Sequence, residues 1–400
     1  MKRPVFIIIG AILVLVLLVI WVYMLFFNKP SGGEDEFANL NFNNTNDPTA
    51  IVDQPENNEP TVDVMGKERL RQLTTKPTAG YREVQRTPSS TPELLYIESG
   101  TGHIFSIDLA SGEEKRISAT TIPLSTKGEI TPDGKFVMIQ SGFGAGSEFV
   151  VGEINPSDNT LSNKGLNEQI VSFSATDNNT FLYSIQTIDS VIAKEYDPLK
   201  ETQKTLFVAP FREALIDWGD SASAVHYFYP KATSKLEGFL YKVENGKISR
   251  LPIDGYGLSA EGGGANVIYS KDMVGKYQTY VYNQENNVSA QSPVRVIPEK
   301  CATANTNTSK IFCASSDNIK ESDLPDLWYK GKVTYADDLW RADTDSGGMA
   351  YLFNVKSGSG RELDMVNLVT NKDDSNLYFT NKTDGFLWMF ELIPADENRQ

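Results

Sequence analysis

The sequence predicts an all-β chain: a seven-bladed β-propeller of four-stranded blades, its last blade closed by the N-terminal strand, after one N-terminal transmembrane helix. Three observations predict it. Seven turn-then-apolar-strand signals recur along the chain, their spacing clusters near 44 residues, and an uninterrupted apolar run precedes them all. A period of about 40–45 residues with four strands per unit is the signature of propeller repeats.

The apolar run extends from Val5 to Phe27 and holds no charge. At a rise of about 1.5 Å per residue it reaches roughly 34 Å, enough to cross a bilayer core. Trp21, Tyr23, Phe26 and Phe27 stand where a cleavable leader would need small residues. Lys2 and Arg3 precede the run and Glu34, Asp35 and Glu36 follow it, so the positive-inside rule puts residues 1–4 in the cytoplasm. The expected localisation is a single-pass cell-membrane protein with an extracytoplasmic C-terminal domain. Residues 28–66, with eight acids and an Asn-rich run, read as a disordered linker, residues 67–392 as the propeller, and 393–400 as a tail.

Charge narrows the partners. The chain carries 37 basic and 52 acidic residues, and past the apolar run the balance is −17. Such a surface repels phosphate backbones, so nucleic acid is not an expected partner.

Each predicted blade opens on a polar turn before an apolar strand, as in Asp133-Gly134-Lys135 before Phe136-Val137-Met138-Ile139 and Asp177-Asn178-Asn179 before Phe181-Leu182-Tyr183. First strands fall near residues 80, 125, 169, 213, 256, 300 and 363. Later turns, such as Ala110-Ser111-Gly112 and Asn245-Gly246, carry residues that tolerate positive φ. The seventh unit ends at Leu392 after three strands, and residues 68–73 supply its missing fourth, which would remove the open sheet edge.

Thr131-Pro132-Asp133-Gly134-Lys135 and the segment Ile104 to Glu113 resemble the repeats of TolB-type and WD-repeat-like bacterial propellers. The resemblance covers residues 66–392 and implies a fold, with interaction or substrate-gating roles among members. No hydrolase domain follows the last blade, so a peptidase role has no support from it.

Cys301 and Cys313 fall on the first two strands of the sixth unit and centre a hairpin near Asn307, as a cross-strand disulfide requires. Closing so short a loop is worth about 3 kcal/mol. Residues 315–336 of the same unit form an insertion that includes Asp326, Trp328 and Tyr329, with Trp340 just beyond. Such aromatic and acidic residues suit a partner or ligand contact. The alternative is that Leu324, Leu327 and Trp328 pack on the propeller itself.

Other patterns read as structure. Asp343-Thr344-Asp345-Ser346-Gly347 lacks the distal carboxylate of a calcium loop, and Gly142, Gly144 and Gly146 lack the helix of a phosphate loop. His103 and His226, the two histidines, have no nucleophile at a diagnostic spacing. No cofactor or metal is therefore expected, and no catalytic residue. The expected role is a non-catalytic scaffold or sensor that meets a protein partner in the cell envelope and is attached to the membrane by its helix. The alternatives are a propeller that binds a glycan or peptide at the channel mouth, and a lyase or hydrolase using channel carboxylates.

Overall fold

The computed structural model describes Leu18 and residues 69–392 apart from 86–90, 165, 167, 220–223, 264, 265, 274 and 320–322. Antiparallel strands dominate, because short runs rich in β-branched and aromatic residues alternate with turns bearing Gly, Asn and Asp.

The first sheet contains Thr78–Val84, Glu93–Glu98, Ile104–Asp108 and Glu114–Ser118. The second contains Ser125–Ile130, Phe136–Ser141, Glu148–Asn155 and Thr160–Asn163, and the third Ile170–Ala175, Phe181–Gln186, Val191–Asp197 and Thr202–Ala209. The fourth sheet has seven strands: Ala214–Asp217, His226–Pro230, Glu237–Glu244, Lys247–Gly263, Asn266–Asp272, Tyr277–Asn283 and Val288–Gln291. Cys301–Thr303, Lys310–Ser315, Asp338–Asp343 and Gly348–Phe353 make the fifth, and Met365–Thr370, Asn376–Asn381 and Leu387–Glu391 most of the sixth.

The expectation of seven separate four-stranded blades is thereby corrected: five sheets are four-stranded, and one seven-stranded sheet holds the residues assigned to two blades. Its 17-residue strand Lys247–Gly263 pairs first with Glu237–Glu244 and then, past Tyr256, with Asn266–Asp272. The strand thus runs on through residue 256, near which the sequence placed the first strand of a new unit. Around that point the two halves of the sheet pack on each other through Leu240, Leu251, Leu258 and Tyr269.

Elsewhere apolar faces pack sheet on sheet in a ring. Ile97 and Ile139 join the first two sheets, Met138 and Phe173 the next pair, and Ala193 and Phe228 the third and fourth. Ile268 and Ile311 continue the series, then Phe312 and Phe379, and finally Tyr378 and Tyr96 bring the sixth sheet back to the first. The sixth sheet takes its fourth strand from Leu70–Gln72, which pairs with the last strand at Leu70 and Phe390, Arg71 and Met389, and Gln72 and Trp388.

The expected single-pass anchor and the localisation built on it are also corrected. Among the described residues no helix is long and apolar enough to cross a membrane. Residues 5–27 apart from Leu18, with Lys2, Arg3, Trp21 and Tyr23, lie outside the described residues, as do the linker 28–66 and the tail 393–400. Two helical turns, α1 (Asp326–Tyr329) and α2 (Val355–Ser359), depart from the all-strand expectation.

Candidate functional site

The first strand of each four-stranded unit lies innermost in a propeller, so its side chains line the central opening. Three carboxylates gather where the fourth and fifth sheets meet. Asp217 ends the strand Ala214–Asp217, Glu261 lies near the end of Lys247–Gly263, and Glu299 sits in the 3-10 turn Pro298–Lys300 that leads into Cys301–Thr303.

Local geometry fixes each of them. The Gly262 amide donates to Asp217 Oδ2 at 2.7 Å, and Thr303 Oγ1 donates to the Gly262 carbonyl at 2.8 Å. A Cβ at Gly262 would fall 2.1 Å from the Tyr227 ring, so only glycine lets the strand approach this closely. Glu299 Oε1 accepts from the Tyr329 hydroxyl and, at 3.4 Å, from that of Tyr229. Ser259, two residues before Glu261 on the same strand face, adds a hydroxyl to Glu299 and lies 2.8 Å from that of Tyr277. Glu299 Oε2 is buried without a partner among the described residues.

Electrostatics follow from crowding. Burial pushes the Asp217 carboxyl up to about 6, against the pull of the Gly262 and Gly219 amides. Burial, then the facing charges of Asp217 and Glu299, raise Glu261 well above the usual carboxylate range. Burial also raises Glu299, although hydroxyl donors oppose it. Asp217 and Glu261 keep some surface open to solvent while protein surrounds them, as expected of a channel wall. Burial and mutual repulsion therefore disfavour the charged form of every member of the cluster, Glu261 most strongly.

A second cluster anchors the insertion. Lys300 Nζ, fully buried, lies 2.6 Å from Asp337 Oδ2 and 2.7 Å from Asp364 Oδ1. The Trp328 indole donates to Asp364 Oδ2 at 3.3 Å, and Lys382 stands 3.9 Å over the Trp328 ring while donating to the Trp328 carbonyl at 2.6 Å. Lys300, Asp337, Asp364 and Trp328 are buried, so this cluster braces the insertion against the fold.

The sequence-predicted residues divide between these places. Asp326 accepts from Thr233 Oγ1 at 3.1 Å and from the Ser234 amide at 2.5 Å, tying the insertion to the fourth sheet. Trp328 is buried with Leu324, Tyr335 and Ile319. Tyr329 is 37% exposed and reaches Glu299. Trp340 is not brought to the site: it lies on the third strand of the fifth sheet, edge-on to Tyr351. Cys301 and Cys313 form the expected disulfide across directly paired positions. His226 is buried against Phe207, and His103 lies beside Thr121 and Glu98. The Asp343 carboxylate accepts from Lys310 and from the amides of Asp345 and Ser346, a turn cap. No group of His, Cys, Asp or Glu that could hold a metal occurs among the described residues.

Sequence reasoning missed Asp217, Glu261 and Glu299. The available signal was acidic residues on or beside inner strands, where apolar or small residues are the rule.

No protein-family model matches the sequence, and no curated protein matches it. Similar solved structures include an oligogalacturonate lyase in complex with manganese, at 12% identity over 82% of this chain and 93% of that one, with a TM-score of 0.52. The oligogalacturonate lyase of Vibrio parahaemolyticus is 10% identical over 82% and 94%, TM-score 0.51. The Cps50 (Swd1) β-propeller domain of Myceliophteria thermophila is 10% identical over 81% and 99%, TM-score 0.51. Two of the three are named as enzymes, which overturns the expectation that a chain of this architecture is not one. At such identities the likeness establishes the fold alone, and the fold is a β-propeller.

Proposed function

We propose that the protein is a ligand-binding propeller that takes the cationic group of a peptide between Asp217, Glu261 and Glu299. One observation carries the reading: three crowded carboxylates have no ion-pair partner among the described residues, and their charged forms are disfavoured until a cation arrives. The hydroxyls of Tyr229, Ser259 and Tyr329 supply orienting hydrogen bonds around them. Calorimetric titration of the full chain with lysine- and arginine-containing tripeptides tests it. Saturable binding, weakened at least tenfold in Glu261→Gln and absent for uncharged tripeptides, is expected. Silence across the panel overturns the reading.

A second reading rests on the divergent proton affinities of neighbouring carboxyls. Asp217, pushed up to about 6, and Glu261, raised further by burial and by the charges of Asp217 and Glu299, differ in the sense that separates general base from general acid in carboxylate enzymes. Turnover of an oligosaccharide or peptide panel, abolished by Glu261→Gln, would establish catalysis over simple binding.

A further inference from the structure

We propose that Lys276 and Arg295 form an anion-binding pocket that takes a single carboxylate or phosphate group. The pocket is about 240 Å³ and is lined by Lys276, Tyr277, Arg295 and Ile319. It lies between the fourth sheet and the 315–336 insertion, and the cationic-ligand reading plays no part in it.

Arg295 is braced from both ends. Its carbonyl accepts from Ser315 Oγ at 2.5 Å, and the following residue, Val296, is fixed by Ser270 and Thr279 hydroxyls. Nη1 donates to the Ile319 carbonyl at 3.2 Å. That single bond uses one edge of the guanidinium, and among the described residues its other N–H groups have no acceptor. A planar fork held at one edge presents its remaining donors in the geometry that matches a carboxylate or phosphate.

Lys276 supplies the second charge. Nearby lysines of the same sheet are neutralised, Lys231 by Glu213 and Lys235 by Asp323. Among the described residues Lys276 has no such partner, and no carboxylate lines the pocket. Two cations without an ion-pair partner among the described residues, in one recess of a strongly acidic domain, create a local positive potential. Ile319 and Tyr277 complete the lining, the Tyr277 hydroxyl being engaged with Ser259. The volume suits one head group with a small apolar body, below the size of a whole oligomeric ligand.

The test titrates the full chain with inorganic phosphate and, separately, with succinate, at about 0.15 M salt, where long-range attraction is screened. Saturable heat with either anion is expected, and the arm that saturates identifies the group. Lys276→Gln, an exposed change that leaves the fold intact, and Arg295→Gln should each weaken it about tenfold. Lys247→Gln, a lysine away from the pocket, should leave it unchanged. The proposal is overturned if neither anion saturates, or if Lys247→Gln weakens binding as much as Lys276→Gln.

Discussion

A lysine with no solvent contact, held by two aspartates, fixes the insertion to the sixth sheet. Removing one member of a buried ion group strands the others, a loss of about 3–5 kcal/mol. Lys300→Met should cost that much in urea unfolding, because Asp337 and Asp364 would then face each other without the ammonium that bridges them. Asp217 should behave oppositely. Its folded carboxyl titrates near 6 against an ordinary 3.8, so the native state holds a proton that the unfolded chain releases. Its contribution to stability therefore improves as pH falls from about 6 toward 4, and above 6 the buried charge is a liability. Asp217→Asn, which keeps an acceptor for the Gly262 amide, should stabilise the protein at pH 8 by on the order of 2 kcal/mol while weakening cation binding. Cation binding in the unaltered protein should strengthen as pH rises through 6, measurable by titration at pH 5 and 7.5. At this scale the sequence singled out Asp326, Trp328 and Tyr329 as contact residues because their loop is conspicuously long, and the structure uses Asp326 and Trp328 in the protein's own packing. The sequence hid Asp217 and Glu261, whose meaning comes from strands 44 residues apart in sequence meeting at one point.

Elements were legible where turn chemistry and apolar strands alternate, and illegible where the backbone ignored those cues. A new unit was expected to open near residue 256, yet the strand Lys247–Gly263 runs through it. Gly257, at φ +61°, answers a different demand: a Cβ there would come within 2.4 Å of the Leu324 carbonyl, so the insertion could not close against the strand. The turn α1 is too short to show a helical period. Signals for α2 were present, since Asn354 caps its start by accepting from the Ser357 amide and Gly360 ends it at φ +69°. The Cys301–Cys313 bridge was readable from spacing alone because both residues flank one hairpin. Its removal in Cys301→Ser, Cys313→Ser should cost about 3 kcal/mol in chemical unfolding. Trp328→Ala should cost about 3–5 kcal/mol by opening a cavity among Leu324, Tyr335 and Ile319.

Across the whole molecule, sheets pack in sequence until the sixth meets the first, and Leu70–Gln72 joins the sixth through hydrogen bonds to Leu387–Glu391. Arg71→Pro would remove an amide from that ladder and should reduce stability by about 3 kcal/mol, with earlier proteolysis of Leu387–Glu391 as the visible sign. Periodicity made the ring readable, whereas the merging of two units into one sheet depends on hydrogen bonds that no composition records. The pairing of these two strands also sets an order of events at synthesis. Residues 70–72 leave the ribosome before any other described strand, and their partner is the last, so the earliest segment waits through almost the entire elongation with its edge exposed. A nascent chain stalled before Leu387 would hold five sheets and an unsatisfied seam, the species on which a chaperone or an aggregating neighbour would act.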